Sequence, residues 1–296
     1  MNVFLIGATG YIGGAVDEAL RARGHAVTAA ARSELAKMTL HARGTTFVQA
    51  DAAQPQSLMA AVADAEAVVY ATSVTDADSW RVDSGAVRAI VKALAGTEKT
   101  FVYTSTALVY GSTGAEAVTE DAQPVPPSIA TRRVDFERYV LSAVRFGVRA
   151  FVVRPGFVYG GGGGTPTMFA TSARERRAAT IVGDGENRWA TVGVRDLGLL
   201  YALVCERGRP GHIYNATDGS TFTMREIAEA ASRGAGAGGA TVSVSPQMLG
   251  PFGEALTLDQ NVSSERAHRE LGWLPSSTTI VDELEFGTYH RTAVAS

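Results

Sequence analysis

Short apolar runs alternate with amphipathic stretches along the first half of the chain. The apolar runs predict strands at Val3–Ile6, Val27–Ala31, Phe47–Gln49, Ala67–Ala71, Phe101–Thr104 and Ala150–Val153. The stretches between them predict helices at Tyr11–Arg23, Leu35–Ala42, Ser57–Ala63, Val82–Ala95 and Arg132–Ala143. Strands and helices in strict alternation favour an α/β fold, a Rossmann-type doubly wound parallel sheet covered on both faces.

The alternation weakens after Gly160, where glycine, proline and short helices dominate. One more strand–helix pair is predicted around Arg195–Asn215. We therefore expect a sheet domain over residues 1–160, with a return segment at about 191–215. Residues 161–190 and 216–296 are expected to form a smaller substrate-binding lobe over the carboxyl edge of the sheet, where ligands of such folds bind.

The composition narrows the class of protein. The chain has 296 residues, 46% apolar and 19% charged, with a net charge of -3. Mild acidity disfavours nucleic acid as a partner, because a phosphate-binding surface would show a basic excess. The single cysteine, Cys205, is typical of a reducing cytoplasm. No apolar run approaches the ~20 residues that span a bilayer, and the five histidines lack metal-ligand spacing, so we expect a cytoplasmic protein without membrane or metal.

A glycine-rich turn, Gly7-Ala8-Thr9-Gly10-Tyr11-Ile12-Gly13, lies between the first predicted strand and the first predicted helix. Glycines at this place allow a tight turn and let backbone N–H groups approach a pyrophosphate at the helix N-terminus. The pattern alone also occurs in ordinary packing turns. Here the strand and helix on either side favour dinucleotide binding.

The end of the second predicted strand bears on the choice of cofactor. NAD sites usually place an acidic residue there, which bonds the ribose 2′-hydroxyl, whereas arginine accommodates a 2′-phosphate. This chain has Arg32 and Ser33, and no carboxylate until Glu34. We therefore expect NADP(H), with an ordinary solvated arginine as the alternative.

With these pieces placed, the chain resembles the extended short-chain dehydrogenase/reductases nearly end to end. The matching segments are Gly7–Gly13, Asp51-Ala52, Ala71–Ser73, Tyr103–Gly111, Arg154–Gly160, Gly183–Gly185, Arg188-Trp189, Val194–Asp196 and Leu271–Pro275. The resemblance implies that the cofactor-binding residues include Gly7, Thr9, Gly10, Tyr11, Ile12, Asp51, Ala52, Ala71, Thr72, Ser73, Thr104, Arg133, Pro155, Gly156, Phe157 and Val158. It implies substrate contacts from Tyr110, Ile129, Tyr159 and Arg188, and it allows a homodimer.

The family's Tyr-x-x-x-Lys pair does not match. Alignment on Glu137 places Ile129 at the tyrosine and Arg133 at the lysine, and none of the three lysines lies on this helix. Ile129 cannot donate a proton, and a guanidinium stays charged. Thr106 matches the family's hydroxyl residue, so Thr106 and Ser105 are the catalytic candidates, expected to orient a carbonyl. Tyr110 is a weaker alternative acid.

This departure resembles a branch of atypical reductases, which includes the ketoreductases of angucyclinone (simocyclinone-type) and other aromatic polyketide pathways of antibiotic biosynthesis. The resemblance implies an NADPH-dependent oxidoreductase acting on an aromatic ketone. A phenolic hydroxyl beside the carbonyl would supply the proton with the advantage of an intramolecular group. Two alternatives stay open: a non-catalytic NADP(H) sensor or scaffold, and a sugar-nucleotide epimerase, which would have to deprotonate an alcohol without tyrosine.

Overall fold

The predicted apolar runs form the strands of one parallel sheet. The computed structural model describes residues 1–72 and 79–291. The strands are β1 (Asn2–Ile6), β2 (Ala26–Ala31), β3 (Thr46–Gln49), β4 (Ala67–Tyr70), β5 (Thr100–Thr104), β6 (Arg149–Pro155), β7 (Phe157–Tyr159), β8 (Ala179–Val182), β9 (Thr191–Gly193), β10 (Ile213–Ala216) and β11 (Thr241–Val244). Seven of them pair in the order β10-β6-β5-β4-β1-β2-β3, every pair parallel. The Rossmann-type prediction is confirmed.

Helices connect the strands across both faces of this sheet. They are α1 (Tyr11–Ala22), α2 (Glu34–Ala42), α3 (Met59–Asp64), α4 (Ser79–Leu94), α5 (Thr131–Ser142), α6 (Thr167–Arg176), α7 (Val194–Arg207), α8 (Met224–Gly234), α9 (Gly250–Leu256), α10 (Glu265–Leu271) and α11 (Ile280–Phe286). None of the helices in the described ranges combines the length and apolar character needed to cross a bilayer.

Two local predictions need correction. The predicted helix at Ser57–Ala63 is divided into a 3-10 turn, Pro55–Leu58, and the short helix α3; proline stands in the first positions of that turn, where its missing N–H costs nothing. The return segment at Arg195–Asn215 was predicted as strand then helix. The structure has the helix α7 first and the strand β10 after it, because α7 covers the sheet before the chain re-enters beside β6.

Apolar side chains on the two faces of the sheet form two separate cores. One joins β1, β2 and β6 to α1 and α7, and the other joins β4 and β5 to α3, α4 and α5. A third cluster lies among α6, α8, α11 and β8. The first core also contains Ala267, Leu271 and Trp273. The end of the chain, predicted to belong to the lobe, therefore also packs against the sheet through α10.

Candidate functional site

The glycine turn between β1 and α1 leaves no room for side chains. Gly7 has φ +96°, and a methyl group on it would come within 2.5 Å of the Ala71 carbonyl oxygen. A methyl group on Gly13 would lie 2.0 Å from the Gly7 carbonyl oxygen. The backbone of the turn is therefore packed directly against the end of β4 and the first turn of α1.

The N-terminus of α1 is open to a ligand. Gly10 precedes the helix and provides no side-chain cap, and Thr9 and Gly10 are exposed. The first N–H groups of a helix need partners from outside it and carry partial positive charge. Tyr11 and Ile12 begin the helix, and the Tyr11 hydroxyl donates to the Gly160 carbonyl at 2.6 Å. The turn thus fits a pyrophosphate.

The ends of β2 and β3 hold the residues predicted to contact the adenosine part. Arg32 is exposed directly after β2. The Ser33 hydroxyl accepts from the Ala36 N–H at 3.2 Å and so caps α2, which leaves its hydrogen free to donate. Asp51 accepts from the Ala53 N–H at 2.9 Å in a tight turn, with Ala52 half-buried between them.

A further cation lies behind the glycine turn and was not found from the sequence. Arg43 follows α2 and donates to the Ala8 carbonyl at 3.0 Å. Its guanidinium would lie 2.9 Å from a methyl group on Gly14. No motif marks Arg43, because only folding brings the end of α2 to this turn.

Three consecutive residues with hydroxyl groups, Thr104, Ser105 and Thr106, lie at the carboxyl end of β5. The hydroxyls of Thr104 and Tyr201 are hydrogen-bonded to each other at 2.6 Å, and the Thr106 hydroxyl accepts from the Leu108 N–H at 3.2 Å. The Ser105 hydroxyl is buried and has no hydrogen-bond partner among the described residues. Buried polar groups are almost always bonded, so the unpaired Ser105 is consistent with a ligand or water at this edge. The assignment of Ser105 and Thr106 as catalytic residues stays a prediction.

Arg133 reaches from α5 to the same strand end. Its Nη1 donates to the Tyr103 hydroxyl at 2.9 Å and to the Thr104 carbonyl at 3.2 Å. The same nitrogen lies 3.9 Å from the Asp83 carboxylate. Burial raises the pKa of Tyr103 to about 12, although Arg133 opposes the shift. At neutral pH the phenol therefore keeps its proton.

Two polar residues near the end of β4 complete this group. Tyr70 donates to Asp83 at 2.6 Å, and Thr72 donates to the same oxygen at 3.4 Å. Burial raises the pKa of the Asp83 carboxyl, and the bonds from Tyr70 and the charge of Arg133 oppose that rise. Ala71 is buried beside Gly7, and the predicted contact Ser73 lies outside the described residues.

The segment after β6 crosses the same edge. Pro155 is the last residue of β6, and Gly156 follows with its Cα packed so tightly that a methyl group would lie 2.2 Å from the Ala190 carbonyl oxygen. Phe157 stacks on Trp189 with ring centroids 4.0 Å apart, and Val158 lies in the core. This segment can therefore present backbone to a cofactor, while the Phe157 and Val158 side chains face the protein interior.

Three of the four predicted substrate contacts, Tyr110, Tyr159 and Arg188, bond to other parts of the protein, and the two tyrosines are buried. Tyr110 is buried, donates to Asn215 at 2.8 Å and accepts from Arg154 at 2.7 Å. Tyr159 is buried and donates to the Thr278 carbonyl at 2.8 Å. These two positions differ from the prediction, because burial removes both rings from any ligand surface. The structure also offers nothing to support Tyr110 as an acid, since burial raises the pKa of its hydroxyl.

The other two predicted substrate contacts lie nearer the surface. Arg188 forms an ion pair with Asp259 at 2.6 Å and also donates to the Gly114 carbonyl at 2.7 Å. It therefore ties two loops together. Ile129 is 45% exposed, in the 3-10 turn that precedes α5. It remains accessible to a ligand.

Gln260 is a second residue that the sequence did not reveal. Its amide nitrogen donates to the carbonyl oxygens of Ala107 at 2.9 Å and Gly111 at 3.1 Å. Its amide oxygen is buried without a partner among the described residues. Gln260 thus braces the turn that follows Ser105 and Thr106, from a position 153 residues further along the chain.

Comparison with known proteins identifies relatives along the whole length. A Schizosaccharomyces pombe protein described as uncharacterized is 28% identical over 297 residues, which covers 98% of this chain and 100% of the relative. The 2-alkyl-3-oxoalkanoate reductase of Stenotrophomonas maltophilia is 29% identical and covers 77% of this chain and 73% of its own length. A Stigmatella aurantiaca enzyme, 4-hydroxy-2-methyl-3-oxo-4-farnesyl-3,4-dihydroquinoline-1-oxide ketoreductase, is 25% identical over 77% of this chain and 71% of its own.

Solved structures agree with the fold. The Thermus thermophilus UDP-glucose 4-epimerase, solved with NAD, has a TM-score of 0.83 at 22% identity and covers 99% of this chain and 100% of its own. The protein named RMD from Pseudomonas aeruginosa, solved with NADPH, has a TM-score of 0.73 at 20% identity, over 98% of each chain. At these identities the likeness concerns the fold.

The sheet order and the glycine turn define an α/β protein of the dinucleotide-binding class. The family model for the NAD dependent epimerase/dehydratase family matches residues 3–217. The chain belongs to this family. Membership supports enzymatic activity of the oxidoreductase class with a nicotinamide cofactor.

Proposed function

We propose that this protein is an NADPH-dependent ketoreductase that reduces a carbonyl of an aromatic polyketide-type, angucyclinone-like ketone without a catalytic tyrosine. One observation carries the proposal. The unpaired hydroxyl of Ser105 lies beside Thr106 at the end of β5, while the residue four positions before Arg133 is the isoleucine Ile129. Groups that can orient a carbonyl are present, whereas the expected phenol is replaced by an alkyl side chain.

The hydroxyl groups have distinct tasks in this proposal. Thr106 already accepts from Leu108, so its hydrogen is available to donate to a carbonyl oxygen. Ser105 is the second candidate donor, because its hydroxyl has no hydrogen-bond partner among the described residues. NADPH, held by the glycine turn and by Arg32, would supply a hydride to the carbonyl carbon, and the carbonyl oxygen would take the electron pair of the carbon–oxygen π bond. The proton for this oxygen would come from a neighbouring phenolic hydroxyl of the substrate, and the phenolate would regain a proton from water.

The proposed preference for NADPH over NADH is based on the residues that follow β2. Arg32 is exposed where a 2′-phosphate would lie, and the Ser33 hydrogen is free. A guanidinium matches a phosphate with two parallel hydrogen bonds. The structural neighbours do not decide the matter, since one was solved with NAD and the other with NADPH.

The reduction of a keto group is supported by the names of two relatives. Both are reductases of keto groups, one on an oxoalkanoate and one on a ring system. The exposed apolar residues Val125 and Ile129 lie in the segment that precedes α5, where an apolar ketone would gain more than a charged sugar nucleotide.

The test compares two ketones that differ in one methyl group. The first carries a phenolic hydroxyl next to the carbonyl, and the second is its O-methyl ether. With [4-²H]NADPH, we expect stereospecific transfer of label to the hydroxy ketone. The ether should react at least ~100-fold more slowly, the usual worth of a positioned acid.

Equal rates for the two ketones would contradict substrate-assisted protonation. NADPH binding without any ketone-dependent oxidation would contradict the ketoreductase proposal and favour the sensor or scaffold alternative. A panel of several aromatic ketones, each with its ether, prevents a single poor substrate from deciding the result.

A further inference from the structure

A buried polar group surrounds Arg133 at the carboxyl end of β5. We propose that Asp83 and Tyr103 are positioning residues that hold the Arg133 guanidinium at the carboxyl end of β5, toward the ribose of the bound nicotinamide cofactor. The inference rests on the proposed function in so far as it requires that cofactor. It assigns tasks to two residues that no sequence motif marks.

Tyr103 restrains the guanidinium from the strand side. Its hydroxyl and the Thr104 carbonyl accept from a single nitrogen of Arg133, at 2.9 and 3.2 Å. The Tyr103 ring is fully buried and stacks on Tyr70, with centroids 6.1 Å apart and planes 19° apart. A ring packed in this way cannot swing, so its hydroxyl provides a fixed acceptor.

Asp83 restrains the same nitrogen from α4. Its carboxylate is 3% exposed and lies 3.9 Å from Arg133 Nη1. Tyr70 and Thr72 both donate to the other carboxylate oxygen, at 2.6 and 3.4 Å. The carboxylate is thus oriented by two hydroxyls, and its second oxygen is left to face the guanidinium.

Together these contacts occupy one nitrogen of a group that has five N–H donors. The other two guanidinium nitrogens of Arg133 form no hydrogen bond with the described residues. Arg133 lies at the strand end that also carries the unpaired Ser105. Because only Nη1 is bound, the remaining N–H groups of the guanidinium can donate to ribose hydroxyls. A freely rotating side chain would lose more conformational entropy in forming the same bonds.

A double-mutant cycle tests this inference through cofactor binding rather than turnover. The dissociation constant for NADPH is measured by fluorescence titration for wild type, Asp83→Asn, Arg133→Gln and the double variant. We expect Asp83→Asn to weaken binding about tenfold, because a neutral amide no longer attracts the Arg133 guanidinium 3.9 Å away. In the Arg133→Gln background the same change should alter binding less than about twofold, because Asp83 acts through Arg133.

Controls separate positioning from general damage to the core. Asp17 is also a buried aspartate, bonded to Thr45 at 2.6 Å and Arg21 at 3.1 Å, but on α1. Asp17→Asn should lower the melting temperature and leave the NADPH dissociation constant unchanged. Tyr103→Phe removes only a hydroxyl, so it tests the inference again should Asp83→Asn fail to fold.

Three outcomes would overturn the proposal: unchanged or tighter binding by both Asp83→Asn and Tyr103→Phe, additive effects in the cycle, or no NADPH binding by wild type. Tighter binding would mean that the Asp83 charge merely repels the cofactor. The proposed function can fail separately, since NADPH binding without ketone reduction would leave the positioning result intact.

Discussion

Arg32 is the residue on which the choice between the two nicotinamide cofactors depends. Its side chain is exposed directly after β2, and a charge-assisted hydrogen bond contributes about 1.5–3 kcal/mol. Arg32→Ala should therefore weaken NADPH binding roughly 10–100-fold and leave NADH binding unchanged. Isothermal titration with both cofactors measures the two constants.

The control for Arg32 is another exposed arginine. Arg138 on α5 is 68% exposed and lies 3.9 Å from Asp135, so Arg138→Ala removes the same charge far from β2. If Arg138→Ala weakened NADPH binding as strongly as Arg32→Ala, the effect would be one of overall charge. Equal losses for NADH and NADPH would contradict a contact with the 2′-phosphate.

The structural role of a residue could be predicted only where its neighbours in the sequence determine that role. Gly7 could be recognised because a tight turn between a strand and a helix demands glycine, and its φ of +96° agrees. Tyr110 and Tyr159 could not be placed, because their partners Asn215 and Thr278 lie 105 and 119 residues away. From the sequence alone, a tyrosine hydroxyl is as compatible with catalysis as with a hydrogen bond inside the core, and only the three-dimensional structure distinguishes these roles.

Helices α1 and α7 are joined at one end by a charged contact. Glu206 on α7 accepts two hydrogen bonds from Arg23 at 2.7 Å and lies 2.9 Å from the His25 ring nitrogen. The bonds from Arg23, and then His25, lower the pKa of Glu206 to about 2. A lowered pKa means that folding favours the carboxylate, so its contribution is present above the unfolded value of 4.5 and lost as pH falls toward 2.

Glu206→Gln should therefore lower the free energy of unfolding near neutral pH by about 1 kcal/mol, a value reduced by solvent screening. The difference from wild type should vanish as pH falls from 4.5 toward 2. Urea titrations across this range measure it. Glu34→Gln serves as control, because it breaks the pair that the 84% exposed Glu34 side chain forms with Lys37 on α2. A pH-independent loss in Glu206→Gln would contradict the assignment.

At the scale of helices and strands, the apolar runs in the sequence and the spacing between them predicted the strands of the sheet well. The buried runs of β1, β4 and β5 are continuous, as expected for strands covered on both faces. The order of α7 and β10 was predicted wrongly because both are apolar, and a buried helix and a buried strand look alike without periodicity. The site needs elements from separate parts of the chain, so only its glycine turn was visible locally.

At the scale of the whole molecule, the loop Gly160–Gly164 forms hydrogen bonds with residues from distant parts of the chain. Tyr11 donates to the Gly160 carbonyl, and Tyr289 accepts from the Gly160 N–H at 2.9 Å and donates to the Gly163 carbonyl at 2.6 Å. Trp273 donates to the Asp196 carbonyl at 2.8 Å from within the sheet core. Tyr289 and Trp273, which are predicted to belong to the smaller lobe, are thus bonded to residues of the predicted sheet domain.

We accordingly expect one cooperative thermal transition, with equal calorimetric and van't Hoff enthalpies. NADPH at a hundred times its dissociation constant adds about 2.7 kcal/mol, which should shift this single transition upward by several degrees. Tyr289→Phe removes a hydroxyl that bonds the loop and should lower the melting temperature, whereas Tyr139→Phe, on a half-buried ring beside Arg88, should change it little. Two transitions, only one of them shifted by NADPH, would mean that the lobe unfolds independently despite these bonds.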